Sequence, residues 1–157
     1  MIAPSNAGDV WLLVMDHAVE EVFQSMLERS CQPLFQSTAR SAVEPSVIPI
    51  DITACINFSG ALEAQCVVEI ASPSAQQLTG AFLGPGPGVW DATMVGDAVG
   101  ELCNMIAGGW KKRIGAEANL SVPTIRRAPN CTPQSFASCM RRVYSFDNST
   151  FVVILTT

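Results

Sequence analysis

Hydrophobic residues recur at helical spacing in two stretches of the chain, residues 10–27 and residues 91–114. A turn of about 100° per residue places each set on one side of a helix. In the first stretch that side holds Trp11, Val14, Met15, Ala18, Val19, Val22, Phe23 and Met26. In the second it holds Val95, Ala98, Val99, Leu102, Cys103, Ile106 and Trp110. The pattern predicts two long amphipathic helices, the first with Asp9 as its N-cap and with its polar residues, Asp16 among them, mostly facing solvent.

Alternating hydrophobic and polar residues predict about five or six strands. Residues 48–58 and 62–70 alternate on either side of Ser59-Gly60-Ala61, which indicates an antiparallel hairpin. After the second long helix and its C-cap, Gly115, come the segment 119–125, a strand near residues 136–146, a turn at residues 147–149 and a closing strand at residues 151–155. The closing strand is either central in the sheet or an edge that pairs across a two-fold axis.

Proline and glycine residues mark the connections. Residues 30–46, interrupted by Pro33 and Pro45, form a connector with a short helical turn or an edge strand. A short helix is predicted over residues 75–83, with a serine of Ser72-Pro73-Ser74 as its cap. The whole chain, residues 1–157, is therefore predicted to be a single layered α+β domain in which a mainly antiparallel sheet packs against the two long helices.

The second long helix carries polar residues on the side opposite its apolar residues: Asp97, Glu101, Asn104 and Gly108. Glu101 and Asn104 are three residues apart, so they lie about 60° apart around the axis and about 4.5 Å apart along it. A carboxylate and a carboxamide therefore project side by side. We call the side formed by these four positions the polar stripe.

Two interpretations of the polar stripe are open. Most polar helix sides are merely solvated. Asn104, however, is a poor helix former, and Gly108 and Gly109 each cost up to roughly 1 kcal/mol relative to alanine. Such residues indicate close approach by a neighbouring element or by a docked partner.

Composition narrows the possible functions. The chain is 48% hydrophobic with a net charge of −5, and its adjacent basic residues are limited to residues 111–113, 126–127 and 141–142, so nucleic acid is an unexpected partner. Its apolar runs are far shorter than the roughly 20 residues that span a bilayer, so no membrane span is expected. The N-terminus lacks the positive charge of a signal peptide. We therefore expect a soluble, cytoplasmic protein.

Cysteine and histidine are poorly placed for catalysis or metal binding. The six cysteines include no CxxC pair, which suits small buried hydrophobes in a reducing compartment. His17 is the only histidine, so neither a zinc site nor a histidine base is expected. Cys103 lies on the apolar side of its helix, where a thiolate is disfavoured.

The order of residues in the second long helix resembles a known family. Asp97-x-x-x-Glu101-x-x-Asn104, followed by Met105-Ile106-Ala107-Gly108 and a basic turn, resembles the signature of the CheC/CheX/FliY chemotaxis phosphatases, and most closely CheX, which has a single such motif. Residues 56–60, 75–84 and 120–125 resemble the family's strand and turn, short helix and Leu-Ser-x-Pro segment in the same order. Arg126-Arg127 departs from the family, which usually turns through glycine there.

The resemblance implies a phosphatase that dephosphorylates a CheY-like receiver domain of two-component signalling. Asn104 would orient the attacking water, and Glu101 would pair with the receiver's active-site lysine. Asp97 would be a supporting contact, while Met94, Met105 and Gly108 would belong to the docking surface. No cofactor of its own is implied, because the receiver supplies Mg²⁺. A homodimer is expected, and the identity of the receiver and the pathway stay open.

Three alternatives remain at this point. The same helix could bind a receiver or another signalling partner without hydrolysis. A small-molecule enzyme has little support, because no histidine-centred or paired-carboxylate constellation is visible. Finally, Glu21-x-x-Gln24 on the first long helix resembles the later acid and amide pair, but its amide is glutamine and its neighbours do not match, so a second site there has little support.

Overall fold

The computed structural model describes residues 7–34, 50–86, 88–127 and 139–157. Within these ranges lie three helices and seven strands. In chain order they are α1 (Ala7–Met26), β1 (Gln32–Pro33), β2 (Ile52–Gly60), β3 (Ala64–Ile70), α2 (Ser72–Leu83), α3 (Ala92–Ile114), β4 (Ala118–Leu120), β5 (Thr124–Arg126), β6 (Cys139–Phe146) and β7 (Ser149–Thr156). The predicted α+β class is confirmed. The predicted features at residues 35–49 and 136–138 lie outside the described ranges.

The seven strands form one sheet in the order β1-β6-β7-β3-β2-β4, and β5 also pairs with β2. Every pairing in it is antiparallel. The predicted hairpin is present as β2 and β3, in a register that joins Ile52 to Ile70 and Phe58 to Ala64. Its turn was predicted at residues 59–61 but lies at residues 61–63, because β2 continues through Gly60. The strand count exceeds the prediction because the segment 119–125 is divided between β4 and β5. Strand β1 is the edge strand that was one of the two predictions for residues 30–46.

The closing strand β7 is central, since it pairs with β6 on one side and β3 on the other. The interpretation of this strand as an edge that pairs across a two-fold axis is therefore wrong. Its hairpin with β6 turns at Asp147 (φ 44°) and Asn148 (φ 62°), the two left-handed residues that a tight hairpin favours. Ser149, predicted to belong to the turn, already lies in β7 and is buried.

Helices α1 and α3 pack against each other and bury their apolar residues in one continuous core with the sheet. The ring of Trp110 on α3 makes edge-to-face contacts with Trp11 and Phe58, at centroid distances of 5.5 and 5.6 Å. Phe23 on α1 stacks on Phe151 of β7 at 5.6 Å. Aromatic side chains thus join both long helices to the sheet, and they set the rotation of each helix about its axis.

The helix starts differ from the predictions in two places. Helix α1 begins at Ala7, so Asp9 lies in its first turn instead of capping it. Helix α2 begins at Ser72 and has no side-chain cap from a serine. Instead the Asp51 carboxylate accepts the backbone N–H of Ser72 at 2.9 Å, so a residue ahead of β2 satisfies this helix end.

The sequence pattern predicted the wrong degree of exposure for two side chains of α1, Met26 and Asp16. Met26 is 62% exposed and Leu27 is buried in its place, because the helix ends at Met26 and Glu28 turns the chain with a φ of 52°. Asp16 is partly buried: its carboxylate accepts hydrogen bonds from Arg142 at 2.6 and 3.1 Å and from the Tyr144 hydroxyl at 2.7 Å. A polar residue predicted to face solvent thus joins α1 to β6.

Candidate functional site

Helix α3 is fixed at both ends by local interactions. The Asp91 carboxylate caps its start by accepting the backbone N–H of Met94 at 2.9 Å. Gly115 ends it in the left-handed conformation, with φ 66°, as predicted. The last turn contains Lys111, Lys112 and Arg113, whose positive charges interact favourably with the negative end of the helix dipole. The helix is therefore well defined over the whole length that carries the polar stripe.

All seven residues predicted to form the apolar side of α3 are buried: Val95, Ala98, Val99, Leu102, Cys103, Ile106 and Trp110. This burial turns the opposite side of the helix outward. The side chains of Asp97, Glu101 and Asn104 are all exposed. Gly108 is half-buried, but a Cβ atom added to it would meet nothing within 4 Å. The structure thus brings all four positions of the polar stripe together on one open surface.

The two methionines that border the polar stripe are accessible to different degrees. Met94 is 40% exposed, whereas Met105 is half-buried and packs against the core. Both lie on the same side of the stripe, next to Glu101. A partner docked on the stripe could contact the unbranched side chain of Met94 more fully than that of Met105.

Close approach to α3 occurs at glycines, as its sequence suggested, but only partly at those expected. Gly109 faces α1, where an added Cβ would lie 3.5 Å from the Cβ of Ala18. Gly96 and Gly100, which sequence reasoning missed, face β5 and the chain before it: at Gly100 an added Cβ would lie 3.1 Å from Ile125 and 3.4 Å from Pro123. The available signal was the four-residue spacing of Gly96 and Gly100 on one side of the helix.

The acid and amide pair of α1 has a different environment. The Glu21 carboxylate forms an ion pair with Arg113 of α3, and this hydrogen-bonded arginine lowers the pKa of Glu21. Gln24 and His17 are exposed nearby. Because Glu21 is already paired within the chain, this pair is less available to a partner than Glu101 and Asn104.

The buried thiol of Cys103 is unsuited to nucleophilic chemistry. Its sulfur lies 3.5 Å from the carbonyl oxygen of Cys66 and 3.7 Å from that of Ala54. Hydrogen bonding with Cys66 and burial hold the pKa of the Cys103 thiol well above its usual range. At neutral pH it is therefore a protonated core residue.

No group of three or more histidine, cysteine, aspartate or glutamate side chains is placed to hold a metal ion within the described ranges. In the same ranges no helix has both the length and the apolar character needed to cross a bilayer.

The candidate site lies on the exposed side of α3. Two hollows of about 580 Å³ lie elsewhere: one is lined by residues such as Gln77, Trp90 and Asp147, and the other lies around Glu21 and Arg113. Neither is lined by Glu101 or Asn104. An exposed acid and amide on a helix surface, outside both of these hollows, is suited to a macromolecular partner more than to a small molecule.

Fold and site together define a layered α+β domain that presents a polar helix surface outward. Comparison with known families then identifies it: the model of the family described as chemotaxis phosphatase CheX matches residues 52–147. The chain belongs to the CheX family of chemotaxis phosphatases, which confirms the resemblance seen in the α3 motif. No curated protein matches the chain.

Solved structures show the same fold at low sequence identity. The chain resembles chemotaxis protein CheX from Vibrio vulnificus at 20% identity and a TM-score of 0.73, over 97% of this chain and 99% of that one. It resembles a putative chemotaxis protein from Desulfovibrio vulgaris Hildenborough at 20% identity and a TM-score of 0.71, over 93% and 95%. It also resembles a chain of the CheX-CheY-BeF3-Mg²⁺ complex from Borrelia burgdorferi at 14% identity and a TM-score of 0.66, over 93% and 96%.

Proposed function

We propose that this protein accelerates hydrolysis of the aspartyl phosphate on a CheY-like receiver domain. The observation that carries the proposal is the exposed pair of Glu101 and Asn104 on one side of α3. Two comparisons support it: the match to the CheX family covers this helix, and a protein of the same fold occurs in a complex with CheY, BeF3 and Mg²⁺.

In the proposed reaction, the receiver supplies most of the chemistry. A water oxygen attacks phosphorus, and the bond between phosphorus and the aspartyl oxygen breaks. The aspartate carboxylate of the receiver is regenerated, and inorganic phosphate leaves with the protons of the water. The receiver's Mg²⁺ neutralises the phosphoryl oxygens, so this chain needs no cofactor of its own. What remains is orientation, which is worth several orders of magnitude in rate when a reactant is held in line.

Asn104 is assigned the orienting role. Its carboxamide can accept a hydrogen bond from the attacking water through the carbonyl oxygen, or donate one through the amide N–H groups. An amide holds the water without competing for its proton as a strong base would. Because Asn104 is exposed on a convex helix, it can enter the receiver's phosphorylated pocket without rearrangement of this chain.

Glu101 is assigned the docking role. Its carboxylate is exposed and has no ion-pair partner among the described residues, so it is available to a lysine of the receiver. A lysine paired with Glu101 would place Asn104 next to the phosphoryl group, because the two side chains are about 4.5 Å apart along the axis. Asp97, one turn earlier, would add a supporting contact.

The test is turnover. Candidate receivers are phosphorylated with a small-molecule phosphodonor, the donor is removed, and phosphate loss is followed with this protein at one hundredth of the receiver concentration. Accelerated loss supports the proposal. The alternative is a non-catalytic binding module, because the same surface could dock a receiver and stop there. Unchanged or slowed loss from receivers that do bind would support that alternative and overturn hydrolysis.

The proposed oligomer is a homodimer, and it needs its own measurement. Since β7 is central, self-association cannot use that strand as an edge. Sedimentation velocity over a range of concentrations distinguishes a dimer from a monomer. A single monomeric species at all concentrations would remove the homodimer from the proposal without affecting the catalytic assignment.

A further inference from the structure

The segment that joins β4 to β5, residues 121–123, places an apolar side chain beside the polar stripe. Val122 is 83% exposed, the highest value among the large apolar residues that the structure describes. A single exposed valine needs no explanation in itself. What sets Val122 apart is how firmly its backbone is held and where it lies.

The start of this segment is fixed to β2 by reciprocal hydrogen bonds. The backbone N–H of Ser121 donates to the carbonyl oxygen of Asn57 at 2.9 Å, and the backbone N–H of Asn57 donates to the Ser121 hydroxyl at 2.9 Å. The same hydroxyl donates to the carbonyl oxygen of Val122 at 3.1 Å. The side chain and the backbone of Ser121 therefore both restrain the backbone at Val122.

The end of the segment is seated on α3. Pro123 and Ile125 lie against Gly100, where an added Cβ would approach them to 3.4 and 3.1 Å. Arg127 extends along the helix, where its guanidinium donates to the carbonyl oxygen of Ala92 and contacts Gly96. The two glycines thus let Pro123 and β5 approach the helix backbone closely, and Arg127, directly after β5, holds the following chain against α3.

Helix geometry relates this seat to the candidate site. From Gly100, Asn104 lies about 40° around the axis and about 6 Å along it, and Glu101 lies about 100° around in the same direction. Met94 and Met105 follow at about 120° and 140°. The polar stripe is therefore bordered by Met94 on the Glu101 side and by the segment with Val122 on the Asn104 side.

We propose that Val122 is a docking contact for the same receiver domain, one that determines how tightly the receiver binds. This inference rests on the proposed function. An exposed ion pair such as that of Glu101 with a lysine contributes little affinity, typically below about 1 kcal/mol. Affinity at a small interface comes from apolar side chains that become buried. Held rigidly at the edge of the stripe, Val122 can be buried without an entropic cost of ordering its backbone.

The occupant of this contact is an apolar patch at the rim of the receiver's phosphorylation pocket. A receiver docked on Asn104 and Glu101 must cover the surface next to Asn104, because Gly100, against which the segment packs, lies only about one helical turn from Asn104. A second copy of this chain is the other possible occupant of an exposed apolar residue. The experiment separates the two.

The test replaces Val122 with serine and measures the dependence of the hydrolysis rate on phospho-receiver concentration. We expect KM to rise roughly three- to tenfold, the range for partial burial of a valine, with kcat within twofold of the unmutated protein. Val122→Ile should retain the original KM. Val89→Ser is the matched control, because Val89 is 77% exposed but precedes α3, and it should leave both constants unchanged.

Several outcomes would overturn the proposal. KM unchanged in Val122→Ser, or an equal rise in Val89→Ser, would show that Val122 does not contact the receiver. A loss of dimer in sedimentation of Val122→Ser would assign the residue to self-association. Circular dichroism and thermal unfolding must match the unmutated protein, which is expected for a substitution at so exposed a position.

A binding measurement distinguishes failure of this inference from failure of the proposed function. Titration calorimetry with the receiver loaded with beryllium fluoride and Mg²⁺ reports docking without turnover. If the unmutated protein binds that receiver but does not accelerate hydrolysis, the proposed function fails, while weaker binding of Val122→Ser still supports the docking contact. If turnover is normal and binding is insensitive to Val122, only the docking contact fails.

Discussion

Cys103 and Asn104 are neighbours in sequence that lie on opposite sides of α3: the thiol of Cys103 is fully buried against β2 and β3, and the carboxamide of Asn104 is exposed. A rotation of the helix that exposed Cys103 would also bury part of the polar stripe. The core residues of α3 therefore determine the direction in which the candidate site faces. Packing at Cys103 and Trp110 positions Asn104 even though neither residue could touch a partner.

Asn104→Ala should abolish most of the stimulated hydrolysis and leave docking nearly intact. The substitution removes the group that orients water, so a loss on the order of 100-fold in kcat is expected. It keeps Glu101 and the two apolar residues that border the polar stripe, Met94 and Val122, so docking should change little. Rates with phospho-receiver and calorimetric binding of the beryllium fluoride form measure the two effects separately. Asn119→Ala, at another exposed asparagine, is the matched control. Unmutated rates in Asn104→Ala would end the proposed mechanism.

Glu101→Gln should weaken docking and turnover together, since it keeps the shape of the side chain and removes the charge that would pair with the receiver's lysine. We expect a rise in KM of about two- to fivefold at low ionic strength, shrinking as salt screens the pair. The salt dependence of KM for the two proteins is the measurement. Glu63→Gln, at an exposed glutamate of the β2–β3 turn, should behave like the unmutated protein. Parallel salt dependences in Glu101→Gln and the unmutated protein would contradict the assignment.

Periodicity predicted the elements that bury one side. Every apolar position predicted for α3 is buried. Seven apolar residues at helical spacing can all be buried at only one rotation of the helix about its axis. That single rotation also predicted the outward direction of Glu101 and Asn104. The same logic gave the β2–β3 hairpin but not its register: β2 continues through Gly60, so the connection lies at residues 61–63, two residues later than predicted.

Contacts between distant residues could not be predicted in this way. Asp16 was expected in solvent, yet its partner Arg142 lies 126 positions later, and no pattern within α1 encodes that pairing. The cap of α2 likewise comes from Asp51, which is 21 positions before Ser72. The packing of the chain around β5 against α3 depends on Gly96 and Gly100. Glycine has no side chain, so these two positions do not contribute to the hydrophobic pattern of the helix. Chain pairing in three dimensions, and not local periodicity, decides such contacts.

Removal of Arg142 should destabilise the fold, whereas removal of its neighbour should not. Arg142 makes two hydrogen bonds to the partly buried Asp16 carboxylate, so Arg142→Ala is expected to lower the free energy of unfolding by about 1.5–3 kcal/mol. Arg141 is exposed on the same strand, and Arg141→Ala should change the free energy of unfolding by less than about 0.5 kcal/mol. Urea unfolding measures both. Equal midpoints for the two variants would show that the pair contributes nothing to stability.

Alkaline pH should destabilise the protein through Tyr144, its only tyrosine. Burial, and secondly the hydrogen bond to Asp16, raise the pKa of the Tyr144 hydroxyl well above its usual range. The unfolded chain releases this proton near pH 10, whereas the native state retains it. The stabilising contribution is therefore complete below about pH 10 and is lost as pH rises further. Tyrosinate absorbance should appear only together with unfolding. Ionisation near pH 10 with intact near-ultraviolet circular dichroism would contradict this.

Gly108→Ala should separate stability from docking at the polar stripe. Nothing lies within 4 Å of an added Cβ, so alanine should raise the free energy of unfolding by up to roughly 1 kcal/mol through helix propensity alone. A receiver that approaches the helix backbone at Gly108 would meet the new methyl group, so the affinity for the beryllium fluoride form should fall several-fold. The variant is then more stable but binds less tightly, which is the signature of a residue kept for function.

Gly100→Ala is the matched control for this test, because it gives the same propensity gain but places its Cβ 3.1 Å from Ile125 and 3.4 Å from Pro123. Overlap with that segment should cancel the gain in stability and displace Val122, so stability and affinity should both fall. If Gly108→Ala instead gains stability and binds as tightly as before, no partner comes near the helix at this position, and Gly108 leaves the docking surface. The glycine would then have no role in binding.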